Sequence, residues 1–108
     1  MQSLSARMAV VQPNGSLNAS NSGEFQVELT NRLQSDYASG LVVDMSQVES
    51  LDSAGLISLV SALKLARQLS KSFYLCSVPP SIRIVFELTQ LDRAFEMVDE
   101  MPGPLLAA

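Results

Sequence analysis

The sequence predicts an α/β fold, a mostly parallel sheet crossed by helices. Short apolar runs recur at "MAVV", "LVVDM" and "SFYLCSV", and each pair is separated by a stretch whose apolar residues fall at helical spacing. Strands that alternate with helices in this way lie side by side when each helix crosses over the sheet. At 108 residues the chain is long enough for one hydrophobic core, so a single domain over residues 1–108 with its core at about 8–98 is expected.

Taken in order, residues Met8 to Val11 read as a short buried strand, and "PNGSLN" after them holds the turn formers Pro13, Asn14 and Gly15. From Ser22, the residues Phe25, Leu29, Leu33 and Tyr37 recur every four positions, which predicts an amphipathic helix that stops near Gly40. Leu41 to Met45 is compact and rich in β-branched residues, as suits a central strand covered on both faces. Ser46 to Leu51 reads as a loop. A second helix starts at Asp52 or Ser53 and carries Leu56, Leu59, Val60, Leu63 and Ala66 on one stripe, up to about Leu69. Ser72 to Val78 forms the next strand. Pro79 and Pro80 then open a helix with Ile82, Val85, Phe86 and Thr89 at helical spacing, because proline suits a first turn whose N–H groups lack partners. Leu91 to Phe95 turns the chain, "FEMV" supplies a last strand, and "PGPLLAA" reads as a frayed end.

Composition narrows the function. Hydrophobic residues make up 47% of the chain and charged ones 17%, which separates it from disordered chains. Seven basic residues against eleven acidic ones leave a formal charge of −4, so neither nucleic acid nor an anionic membrane is an expected partner. No apolar run approaches the roughly 20 residues of a membrane span, and a soluble cytoplasmic protein is expected. The single cysteine, Cys76, lies in an apolar strand and reads as a core residue. The absence of histidine removes the usual base for a serine nucleophile and the commonest nitrogen ligand for zinc. No enzymatic activity, cofactor or metal is expected.

One polar interruption stands out, "ESLDSAGL" at Glu49 to Leu56, between an apolar strand and an apolar helix. Asp52 and Ser53 both suit a helix cap, where a side-chain oxygen accepts from an unpaired N–H of the first turn. The same position would also present the Ser53 hydroxyl for modification, with the helix dipole and first-turn N–H groups near an added phosphate. Gly55 either packs the helix start tightly on its own sheet or leaves room for another protein to approach the backbone.

The segment from Val42 to Phe95 resembles a STAS domain, and specifically a bacterial anti-sigma factor antagonist. The resemblance rests on an apolar strand ending in Asp44, a short loop, and Asp52-Ser53-Ala54-Gly55-Leu56 opening a helix. The ordered segment "SVPPSIRIVFELTQLDRAF" supports it, as does "NGSLN" at Asn14 to Asn18. It implies a mixed, mostly parallel sheet of four to five strands with three to four helices. It also implies a non-enzymatic partner-switching regulator of transcription that binds an anti-sigma factor serine kinase while unmodified. Phosphorylation at Ser53 would end that binding, and a phosphatase would restore it. The partner-binding set carried over is Asn18, Asp52, Ser53, Ala54, Gly55 and Leu56. Asn18 stands where many such proteins have Asp, and Ala54 replaces a second hydroxyl found in some of them. A short N-terminus and little of the family's final helix would leave an edge or apolar patch suited to homodimer formation. The alternatives are a STAS adaptor subunit of a membrane transporter or signalling complex that works without phosphorylation, and a small-molecule or nucleotide-binding sensor.

Overall fold

The computed structural model describes residues 7–99. Among the described residues, strands singly or in pairs are interleaved with helices, six strands and three helices in all. The strands are β1 (Met8–Val11), β2 (Gly15–Leu17), β3 (Gly40–Asp44), β4 (Val48–Leu51), β5 (Ser72–Cys76) and β6 (Glu96–Val98). The helices are α1 (Ser22–Leu33), α2 (Ser53–Gln68) and α3 (Pro80–Leu88), and one 3-10 turn covers Leu91–Arg93. The expected α/β architecture is therefore the one observed, divided over two sheets. The larger sheet has the order β1-β3-β5-β6, the smaller one pairs β2 with β4, and every pairing among the described residues is parallel.

Side-chain alternation explains how the larger sheet is covered. Ala9, Val11, Leu41, Val43, Phe73 and Leu75 point to one face and join the main core with Phe25, Leu29 and Leu33 of α1, Leu59 and Leu63 of α2, and Ile82 and Phe86 of α3. Phe95 closes this core by packing edge-on against Phe86, with ring centroids 5.3 Å apart. Met8, Val42 and Cys76 point to the opposite face and form a smaller cluster with Val10, Tyr74 and Val98. Val42 is fully buried there, as its place in a central strand leads one to expect, and Cys76 is a buried free thiol.

Three elements differ from the sequence reading. Helix α1 ends at Leu33, with Gln34 as its cap, instead of near Gly40. Its last carbonyl, Leu33 O, and Ser35 O just beyond the helix are met from far along the chain, because the Lys71 ammonium donates to them at 2.6 Å and 2.7 Å. Tyr37 consequently lies outside the helix and is largely exposed. Gly40 is the first residue of β3, and a Cβ there would lie 2.6 Å from Ser72 O. The expected turn at Asn14 to Asn18 contains β2, and the expected loop at Ser46 to Leu51 contains β4. Neither strand announces itself locally, because each is only three or four residues long and half polar. They exist through each other, with Ser16 opposite Ser50 and Leu17 opposite Leu51. The segment "PGPLLAA" lies outside the described residues.

Candidate functional site

The first turn of α2 is built on the small sheet. The strand pair aligns Leu17 with Leu51, and the next amide, Asp52 N, donates to Leu17 O at 3.1 Å. Leu17, Val48 and Leu51 face the core, whereas Ser16, Glu49 and Ser50 face outward, with Ser50 Oγ donating to Ser16 Oγ at 2.8 Å. The small sheet is thus half core and half surface, and α2 leaves from its end.

Asp52 caps the helix. Its backbone is extended and its Oδ1 accepts from Ala54 N at 2.9 Å and from Gly55 N at 3.1 Å, satisfying two first-turn donors. Ser53 is the first helical residue, exposed, and its hydroxyl takes no part in the cap. The two roles that the sequence allowed to either residue are therefore divided, with Asp52 holding the helix and Ser53 left free of that task.

Gly55 is buried, and the space around it is closed by this chain itself. A Cβ at Gly55 would lie 2.7 Å from Leu17 O and 2.9 Å from Leu17 Cβ, closer than such atoms pack. The structure thus supports the packing role of Gly55 over an opening for another protein's backbone. Leu56 is also buried in the core and Ala54 is half-buried, so within this stretch Asp52 and Ser53 make up the exposed part.

Asn18 sits at the end of β2, and its contacts order the loop that leads into α1. Asn18 O accepts from Asn21 N and Ser22 N, while Asn18 Oδ1 accepts from Ser20 N at 2.9 Å and from Ser20 Oγ at 2.6 Å. Asn21 completes the loop. Its Oδ1 accepts from Asn18 N at 2.9 Å and its Nδ2 donates to Ser16 O at 2.7 Å. Because Ser16 lies opposite Ser50 and Asp52 N is bonded to Leu17 O, this loop and the start of α2 hang from the same strand pair.

Ser58 joins the two helix starts. It is buried, and its Oγ donates to Ser22 O of α1 at 3.0 Å and to Ala54 O at 3.2 Å. Sequence reading did not single out Asn21, Ser58 or the Ser16–Ser50 pair. The turn-forming composition of "NASN" was a signal for Asn21, whereas the other contacts join residues more than thirty positions apart and leave no local pattern. At the other end of the loop before β4, Asp44 accepts from Ser46 N at 2.9 Å and from Gln12 Nε2 at 2.9 Å, fixing where β3 ends.

Among the described residues, no group of three His, Cys, Asp or Glu side chains converges to hold a metal, and no helix is long and apolar enough to cross a membrane. The arrangement at α2 offers a hydroxyl on a rigid helix start beside a carboxylate.

The family model of the STAS domain matches residues 4–101. Among solved structures, the chain is similar to a Thermotoga maritima protein described as an anti-sigma factor antagonist, at 30% identity and a TM-score of 0.78, over 85% of this chain and 79% of that one. It is also similar to a variant of RsbS from Moorella thermoacetica, at 27% identity and a TM-score of 0.71, over 85% of this chain and 79% of that one. A sulfate transporter family protein from Wolinella succinogenes shares the fold, with 12% identity and a TM-score of 0.75 over 87% of this chain and 78% of that one. The fold by itself therefore occurs with different functions. With the paired small sheet, the capped α2 start and a family match over all the described residues, the chain belongs to the STAS domain family.

Proposed function

We propose that this protein is an anti-sigma factor antagonist, a non-enzymatic partner-switching regulator that acts in the cytoplasm and is controlled by reversible phosphorylation of Ser53. The observation that carries the reading is the division of labour at α2, in which Asp52 supplies the cap and leaves an exposed Ser53 hydroxyl outside it. In this scheme an anti-sigma factor kinase binds the unmodified surface and holds the nucleotide, and a phosphatase resets the modified form. Asn18, Asp52, Ser53 and Ala54 form the surface that meets the partner, and Gly55 and Leu56 act by holding that surface from beneath.

The physical effect of a phosphate follows from its neighbours. It adds about −1.5 to −2 charge near neutral pH, next to Asp52 and four positions from Glu49. The Ala54 and Gly55 amides are already bonded to Asp52, so the new group does not find these two donors free. The helix dipole offsets the charge by about 0.3–1 kcal/mol, so the fold tolerates the modification. Enclosing the same phosphate without a cation in an interface costs several kcal/mol, and each ~1.4 kcal/mol lowers affinity tenfold. The complex therefore fails while the domain stays folded.

The direct test is incubation with the anti-sigma serine kinase of the same cell, together with ATP and magnesium, followed by mass-spectrometric mapping. Phosphate on Ser53, its loss in Ser53→Ala, and weakened kinase binding by Ser53→Asp are the expected results. An unmodified Ser53 in a protein that copurifies with a transport protein would instead favour the adaptor role.

A further inference from the structure

We propose that the outward face of α3 is a self-association surface, on which a second copy of this chain packs antiparallel to the first. The inference is independent of the role assigned to Ser53. It starts from a difference among the three helices. The outward sides of α1 and α2 are mostly polar, with Glu24, Glu28 and Arg32 exposed on one and Lys64 and Gln68 on the other, and each carries a single exposed aliphatic side chain, Val27 and Ile57. Helix α3 is apolar on both sides. Ile82 and Phe86 are buried in the core, while Ile84 is 50% exposed and Leu88 80% exposed. Large apolar side chains that adjoin on one exposed face mark a surface that another molecule covers.

Ile84 and Leu88 are one turn apart and form a single outward stripe, with Pro80 exposed at its start. Arg83 and Glu87, also one turn apart, flank the stripe on one side. When two copies of a helix pack antiparallel about a two-fold axis, each flank meets its own counterpart running in the opposite direction. Arg83 of one copy then faces Glu87 of the other, and the pair occurs twice. In a parallel arrangement that flank would meet the opposite flank, which carries Ser81 and Val85. The Arg-then-Glu order along α3 is also the weaker orientation for a pair within one helix, so both charges are available to a second chain. The face is thus self-complementary in charge, which selects a copy of this chain as its occupant.

The exposed stripe is small compared with the interface of a permanent dimer, so a transient one is expected, with a Kd on the order of 100 µM. Sedimentation velocity of the full chain from about 10 µM to about 1 mM should show a weight-average coefficient that rises with concentration. Leu88→Ser, which alters an exposed side chain and should leave the circular dichroism unchanged, should weaken association about tenfold or more. Arg83→Glu and Glu87→Arg should each do the same, and the double variant carrying both should restore it, because the antiparallel contact is only reversed in sign. A chain that stays monomeric to the top of the range would overturn the proposal and leave α3 to a different protein. Association that survives Leu88→Ser, or single charge reversals that are not rescued by the double variant, would overturn it as well.

Discussion

The two sheets of this domain are built on different terms. In the four-stranded sheet, Leu41, Val42, Val43 and Leu75 are wholly buried, and β3 and β5 are paired on both edges. In the two-stranded sheet only Leu17, Val48 and Leu51 turn inward, and Ser16, Glu49 and Ser50 meet solvent. The first sheet is stabilised mainly by removing apolar surface from water, at about 25 cal/mol per Å². The second depends more on specific contacts, namely a few ladder bonds, the Asp52 N to Leu17 O bond and the close fit of Gly55. The large sheet therefore determines whether the chain folds, while the small one determines where Ser53 stands.

Substitutions can separate these two contributions. Leu75→Ala, in the middle of the large sheet, should destabilise the whole domain by about 2–5 kcal/mol, read as a lower midpoint in urea unfolding. If its cost matched that of a surface substitution, the large sheet would not be the main source of stability. Gly55→Ala should cost about 1–3 kcal/mol, because the new methyl group must push α2 away from Leu17. Its diagnostic effect is on the site, with NMR shift changes concentrated at Leu17, Asp52 and Ser53 and small at Val42 and Val43. Changes spread evenly over both sheets would mean that the small sheet has no independence.

Smaller effects sharpen the same contrast. Asp52→Ala removes the cap from Ala54 N and Gly55 N and should cost about 1 kcal/mol, whereas Asp52→Asn should retain most of the stability. Urea unfolding of both variants checks this, and equal losses would show that the cap geometry is unimportant. Ser53→Asp should change stability by less than about 0.5 kcal/mol, since the residue is exposed and outside the cap, yet it should weaken kinase binding strongly. Native-state hydrogen exchange adds a comparison without mutation. The amides of Val42 and Val43 should exchange only through global unfolding, and those of Gly15 and Asp52 through smaller local openings.

What could be read in advance follows the same division. Strand β1 and the approximate positions of β3, β5 and α2 follow from patterns that a few adjacent residues display. Asp52 and Ser53 both suit the cap of α2, and only the folded backbone assigns it to Asp52. Strands β2 and β4 left too short and too polar a signal, because they are defined by pairing with a segment more than thirty positions away. The end of α1 has no local mark, because its last carbonyl, Leu33 O, is bonded by Lys71, which follows the end of α2.

By itself, then, the sequence determined the fold class, the central strands and the one stretch where a hydroxyl and a carboxylate open an apolar helix. Those properties depend on periodicity and on the chemistry of adjacent residues. The tertiary structure decided that Gly55 faces inward onto Leu17, that Asp52 holds the cap while Ser53 stays clear of it, and that Ser58 ties α1 to α2. It also left Ile84 and Leu88 facing outward from a helix that is apolar on both sides. These outcomes depend on how distant segments meet, and a local pattern cannot express a contact whose two halves lie far apart in the chain.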